Sequence, residues 1–162
     1  MFRLYKRSDE GQIVAYHEAW VDQRSRVIVE HWGMVGTRGE QDTHRIKILK
    51  SLEAQFEAIL GPAKVGGFEE IDTGDYQTLT IHCPIGENWP LEDSDKREDM
   101  EEVLNEIMGW TGLGEPTGHT LDEAAGTIGF HCRVVDVAIA IETLTEALRD
   151  TEYGVHLRMV QD

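Results

Sequence analysis

Three histidines, His82, His131 and His156, have the residue type and, through strand alternation, the placement that metal binding requires. Each lies in a stretch whose apolar residues alternate: Leu79, Ile81 and Cys83; Ile128, Phe130, Cys132 and Val134; Val155, Leu157 and Met159. Successive side chains on a strand point to opposite faces. If Cys83, Cys132 and Leu157 face a core, the three imidazoles face away from it, together with Arg133 and Arg158. Three converging imidazole nitrogens suffice for zinc or another borderline metal. The alternative is that this face packs on the neighbouring module, a second copy or a partner, with histidine making ordinary polar contacts. His119, on a weaker strand, is a candidate fourth member of the row.

The remaining reactive residue types suggest no catalytic device. Cys83 and Cys132 sit in mainly apolar stretches, as buried reduced thiols do. Glu98 and Glu102 fall opposite the apolar stripe of their helix, on a solvated face. The chain contains no Gly-x-x-x-x-Gly-Lys-Ser/Thr loop, Gly-x-Ser-x-Gly turn, Cys-x-x-Cys or His-Glu-x-x-His. The glycines between Gly109 and Gly118 follow a helix, where a dinucleotide fold needs a strand. A non-enzymatic protein is expected.

The elements that position these residues follow from periodicity. Residues 2–7 alternate, and Ile13–Val21 and Arg26–Trp32 form a hairpin across the polar Asp22–Ser25 turn. Thr43–Ile48 is expected to be a strand. Leu49, Leu52, Phe56, Ile59 and Leu60 recur at helical spacing behind a Ser51 cap, and Gly61-Pro62 is expected to stop that helix. Gly66-Gly67-Phe68 leads into a short strand. The polar Ile71–Asp75 stretch marks a boundary, giving one domain over 1–72 and another over 76–162. In the second, a strand through Cys83 precedes a helix with Met100, Val103, Leu104, Ile107 and Met108 on one stripe, opened by Asp93-Ser94-Asp95. Strands at Thr117–Leu121 and Thr127–Val135 follow. Then come a helix capped by Asp136, with Val137, Ile141, Leu144 and Leu148 on its stripe, and a last strand after Gly154. The order βαββαβ fits the ferredoxin-like arrangement, an antiparallel sheet of order 4-1-3-2 with both helices on one face. A single α+β domain is the alternative. In either case the class is α+β, with a β-rich module placed first.

Charge divides the chain in the same place. Its net charge is −16. Through Asp72 there are 10 Lys/Arg against 12 Asp/Glu, a balance of −2; from Thr73 onward there are 5 against 19, a balance of −14. The second half is expected to repel nucleic acid, so any nucleic-acid contact is expected in the first half, which itself lacks the strong basic excess of a typical binder. The acidic half suits solubility, a basic protein partner or self-association. No apolar run long enough for a membrane span occurs, and the N-terminus mixes basic and apolar residues, so a cytoplasmic protein without membrane contact is expected.

The stretch Val29-Glu30-His31-Trp32-Gly33-Met34-Val35-Gly36-Thr37-Arg38-Gly39-Glu40, then Phe56 in the helix and Lys64-Val65-Gly66-Gly67-Phe68, resembles the WGR domain family over almost all of residues 1–72. The family pattern is a Trp-Gly-Arg triplet, a Val/Ile-Gly-Thr-x-Gly-Gln-like turn and a Lys-x-x-Gly-Tyr element after the helix. The resemblance implies a small β-rich module used mainly near nucleic acid; in poly(ADP-ribose) polymerases the triplet's tryptophan and arginine help engage a DNA end. Met34 stands at the arginine position and offers neither charge nor a fork of donors. What carries over is the fold and Trp32. Arg38, in the glycine-bounded turn, is a candidate phosphate contact, and Lys47 and Lys50, with Arg45 and Lys64, supply a weakly basic face.

Together these features suggest a bacterial accessory protein whose WGR-like module contacts DNA or another nucleic acid, or another macromolecule, through Trp32, Arg38, Lys47 and Lys50, and whose acidic module contacts protein. One alternative is an acidic inhibitor or immunity-type protein. Another is a metal-dependent protein using zinc at His82, His131 and His156; otherwise no cofactor is expected.

Overall fold

Asp22 closes the hairpin at the centre of a five-stranded sheet. Its carboxylate accepts hydrogen bonds from the Arg24 and Ser25 N–H groups at 2.9 and 3.2 Å, the local bonding that makes aspartate a turn residue. The flanking strands are β2 (Ile13–Asp22) and β3 (Val27–Met34), paired from Asp22↔Val27 to Ala15↔Met34. Around them lie β1 (Phe2–Arg7), β4 (Glu40–Arg45) and β5 (Phe68–Glu69), in the order β4-β3-β2-β1-β5. The structure is a computed structural model describing residues 1–85, 94–153 and 157–161. Two units divide the chain, Met1–Asp72 and Thr73–Asp162.

In the first unit, helix α1 (Leu52–Val65) covers one sheet face with Phe56, Leu60 and Ala63 against Leu4, Ala19 and Ile28. Full burial of Phe56 or Leu60 contributes about 1.5–3 kcal/mol each. The Ser51 hydroxyl caps the helix by accepting from the Ala54 N–H at 3.2 Å. The helix does not stop at Gly61-Pro62 but runs on to Val65. Gly61 has no Cβ to clash with the proline ring, and the next residue, Ala63, is buried in the core, so packing outweighs one lost hydrogen bond. The fourth strand also shifts: it spans Glu40–Arg45 rather than Thr43–Ile48.

The second unit contains β6 (Gln77–Pro84), α2 (Ser94–Trp110), β7 (Gly114–Asp122), β8 (Thr127–Val134), α3 (Val137–Leu148) and β9 (Arg158–Gln161). Its sheet order, β7-β8-β6-β9 with every pair antiparallel, is the expected 4-1-3-2 read from the last strand. Leu79, Ile81, Cys83, Ile128, Phe130 and Cys132 meet Met100, Leu104 and Met108 of α2 and Ala140, Leu144 and Leu148 of α3 in a buried core. The Asp136 carboxylate caps α3 by accepting from the Ile139 N–H at 2.9 Å. At the start of α2, Asp93 lies outside the described residues. Among the described residues the architecture is α+β, with two antiparallel sheets and three α-helices. Among the described residues no helix is long and apolar enough to cross a membrane.

Candidate functional site

Trp32 lies on the α1-facing side of the first sheet, half-buried, beyond the part that the helix covers. Its indole stacks on the His17 imidazole with centroids 5.7 Å apart and planes 29° apart, and Phe68 meets the same imidazole edge-on at 5.7 Å. Lys6 places its ammonium 5.8 Å from the Phe68 ring centre. Next to Trp32 on β3, Met34 is 56% exposed. Glu30 joins two imidazoles across three strands, its carboxylate oxygens 2.7 Å from His17 Nε2 and 2.6 Å from His44 Nε2. These contacts orient His17 under the indole.

The turn after Trp32 is held from beneath by buried polar groups. The Tyr16 hydroxyl donates to the Thr37 carbonyl at 3.0 Å, and His31 Nε2 donates to the Arg38 carbonyl at 2.7 Å. The other nitrogen of His31 lies 2.8 Å from Glu18 Oε1, while Arg3 Nε donates to Glu18 Oε2 at 2.5 Å. Glu18 and His31 are buried, so this chain of partners satisfies polar groups that would otherwise be costly. Burial, reinforced by the Glu18 charge, pushes the Tyr16 hydroxyl well above its ordinary range. A Cβ on Gly33 would approach the Gly39 Cα to 2.7 Å and the Tyr16 hydroxyl to 3.0 Å. The glycines of this turn therefore serve close packing on Tyr16. Arg38 is exposed at the turn.

Lys47 and Lys50 lie elsewhere. Arg45 pairs with Val27, whereas Trp32 pairs with Glu40. The lysines thus follow the end of β3 opposite to Trp32, about five residues or roughly 17 Å along the strand. The four residues expected to form one surface divide into two ends of the sheet: Trp32 with Arg38, and Lys47 with Lys50. Lys64 belongs to neither, since it is paired with Glu57 at 2.8 Å near the far end of α1.

At the lysine end the structure assembles more positive charge than the sequence suggested. The Val27↔Arg45 pairing puts the turn that carries Arg24 and Arg26 at the same end of the sheet as Arg45 and the loop that carries Lys47 and Lys50, all five exposed, with Asp22 in the turn and Glu53 in the first turn of α1 as the nearby acids in sequence. Asp22 is occupied by the turn, and hydrogen bonds from Ser25 and Arg24 keep its carboxyl below the usual carboxylate range. Cations elsewhere in the unit are engaged: Arg3 with Glu18, Arg7 with Glu69 at 3.5 Å, Lys64 with Glu57 and Lys6 with Phe68. Arg26 also adopts φ +56°, in the left-handed region that favours glycine or asparagine.

The loop carrying Lys47 and Lys50 is fixed by Gln55, which is 6% exposed. The Lys47 N–H donates to Gln55 Oε1 at 2.7 Å, and Gln55 Nε2 donates to the carbonyls of Lys47, Lys50 and Ser51 at 3.2, 3.0 and 3.3 Å. Ile48 and Leu49 therefore occupy the middle of a turn, not a strand end and a helix stripe. By sequence, Arg24 belongs to the polar turn and Arg26 to the start of the following strand; the strand begins at Val27, so both lie in the turn. The pattern Lys-Ile-Leu-Lys directly before the Ser51 cap was the available signal, because a residue ahead of an N-cap cannot belong to the helix stripe.

In the second unit His82 and His131 share the face away from the helices, but the residues paired with them are not metal ligands. His82 pairs with Gly129 and Arg158, and His131 pairs with Thr80 and Gly118. Both nitrogens of His131 are taken by hydroxyls, Thr80 at 3.1 Å and Thr120 at 2.8 Å. His156 lies outside the described residues. His119 does not join the row: a bulge between Pro116 and Gly118 reverses the alternation, so it faces the helix side, 2.7 Å from Glu101 of α2. Among the described residues no group of three or more His, Cys, Asp or Glu side chains is arranged to hold a metal ion. The two thiols are free and buried, and burial pushes each up to about 12.

No protein-family model, curated protein or solved structure matches the chain.

Proposed function

We propose that the chain is a non-enzymatic two-part adaptor whose first unit, a WGR-like module, contacts nucleic acid and whose acidic second unit contacts a basic protein. The observation that carries this reading is the basic end of the first sheet. Five Lys/Arg stand there against Asp22 in the turn and Glu53 in the first turn of α1, in a chain of net charge −16, and Arg26 occupies a backbone position where a glycine would be less strained. Phosphate contacts by such a cluster give affinity without sequence preference and weaken steeply with salt. The stacked Trp32 and His17 at the other end of β3 offer an aromatic face of the type that meets sugars and bases. For the second unit, support comes from α2, which exposes Asp95, Glu98, Asp99, Glu102 and Glu106 along one helix.

Fluorescence anisotropy with labelled duplex and single-stranded DNA at low salt tests the first part. Binding that is lost on adding salt is expected; no binding at low salt would refute it. Calorimetric titration with a lysine-rich peptide tests the second, where weakening by Glu98→Gln with Glu102→Gln is expected and an unchanged affinity would count against α2.

A further inference from the structure

Ile48 and Leu49 are 97% and 100% exposed, the two most exposed large aliphatic side chains among the described residues. Neither contributes to the core cluster, whose contacts on this side include Ile46. The turn that presents them is nevertheless held tightly. The Lys50 N–H donates to the Lys47 carbonyl at 3.1 Å, closing a four-residue turn with Ile48 and Leu49 at its centre. The buried Gln55 amide then binds the backbone at Lys47, Lys50 and Ser51. Two hydrocarbon side chains are thus pre-positioned in water, with an exposed ammonium on either side and Arg24, Arg26 and Arg45 nearby.

We infer that Ile48 and Leu49 form an apolar wedge that enters a nucleic-acid base stack where stacking is already interrupted, with Lys47 and Lys50 at the phosphates on either side. This rests on the nucleic-acid reading above and assigns the contact within it. The chemistry is complementary at each point. Base faces are apolar and accept a single aliphatic side chain between steps, while the backbone on both sides of the step is anionic. Unstacking is costly in a continuous duplex and much less so at a nick or an unpaired nucleotide, which selects the interrupted site. An anionic lipid surface presents the same charge, but two aliphatic side chains bury less hydrocarbon than one myristoyl chain, which by itself attaches only marginally. A fixed turn gives binding a further advantage, because the side chains are ordered before contact.

The test uses the full chain and a duplex carrying 2-aminopurine beside a nick, compared with the intact duplex. Wild-type protein is expected to raise 2-aminopurine fluorescence and to bind the nicked duplex tighter by roughly tenfold, since an intact stack must otherwise be broken. In the double variant Ile48→Ser with Leu49→Ser the two duplexes are expected to bind alike and the fluorescence rise to vanish. Both side chains are solvent-exposed, so an unchanged thermal melt confirms that the variant is folded. Equal wild-type affinity for the two duplexes, or a nick preference that survives the double substitution, overturns the wedge while leaving the nucleic-acid reading intact. Absence of any DNA binding at low salt overturns both. Cosedimentation with phosphatidylserine vesicles that is lost in the double variant overturns the wedge in favour of a lipid contact.

Discussion

Gln55 holds the Lys47 backbone by both of its polar groups, accepting from the N–H at 2.7 Å and donating to the carbonyl at 3.2 Å. Only a primary amide offers an acceptor and two donors on one planar group. Glutamate keeps the shape and the acceptor but turns a carboxylate toward the carbonyls of Lys47, Lys50 and Ser51. Gln55→Ala should cost about 1–3 kcal/mol, because the Lys47 N–H and the Lys50 carbonyl lose their Gln55 partner, and Gln55→Glu about 3 kcal/mol or more, because a carboxylate at this buried position then faces carbonyl oxygens. Urea unfolding measures both. Values for the two variants within error of wild type would show that the loop does not depend on this side chain.

Gly39 is the corresponding test of the turn after Trp32. It lies at φ +63°, and an added Cβ would sit against the Trp32 carbonyl oxygen and 2.5 Å from the Tyr16 hydroxyl. Gly39→Ala combines left-handed strain with a clash against backbone, and a loss of about 3 kcal/mol is expected. Gly74, whose added Cβ would meet nothing within 4 Å, serves as the control, since its alanine variant should unfold close to wild type.

Arg26 should show the reverse sign. An arginine at φ +56° stores strain that glycine relieves, so Arg26→Gly is expected to gain about 0.5–1 kcal/mol after the extra unfolded-state entropy of glycine is counted. The same variant should bind DNA more weakly. A loss of stability would contradict the strain at Arg26, and an unchanged affinity would remove it from the proposed interface.

The two thiols make stability fall at high pH. Burial raises each from an ordinary value of 9.0 to about 12 in the folded protein. The folded chain therefore holds these protons where the unfolded chain has begun to release them. The associated stability is fully present below about pH 9 and is lost progressively as pH rises toward 12. Urea midpoints measured from pH 8 upward should decline, and the decline should be shallower in a Cys83→Ala, Cys132→Ala double variant. Native protein should react with a thiol reagent only slowly, and rapidly once unfolded.

Periodicity was enough to place most elements, because long amphipathic stretches such as Met100, Leu104 and Met108 leave one way to bury their apolar side. It failed where a local feature broke the period. The bulge near Thr117 turns His119 toward α2, and Pro116 and Gly118, residue types that mark bulges inside a strand, are the signal that alternation alone passes over. Gly61-Pro62 was expected to end a helix that tertiary packing carries to Val65. Aliphatic residue type alone suggests a strand ending at Ile48 and a helical stripe beginning at Leu49, although Ser51 as N-cap puts Leu49 outside the helix.

The candidate interface was legible only in part. Lys47 and Lys50 stood out by charge, but Arg24 and Arg26 join them only through the pairing of β3 with β4, which spacing along the chain does not reveal. Gln55 gave no sequence signal, since a glutamine in a helix is ordinarily solvated and this one is buried. Conversely, Trp32 and Lys47 are expected on one surface, whereas Trp32 lies at one end of the first sheet and Lys47 in the loop that follows its other end.

The salt dependence of DNA binding in charge variants tests the central claim most directly. Wild-type affinity for a labelled duplex should fall linearly on a double-logarithmic salt plot. Replacing Arg24, Arg45, Lys47 and Lys50 together by glutamine should flatten that slope by about 0.9 for each phosphate contact removed. Replacing Lys64 and Arg7, which are paired with Glu57 and Glu69, should leave it unchanged. Equal slopes for wild type and the fourfold variant would contradict a nucleic-acid contact at this end of the first sheet.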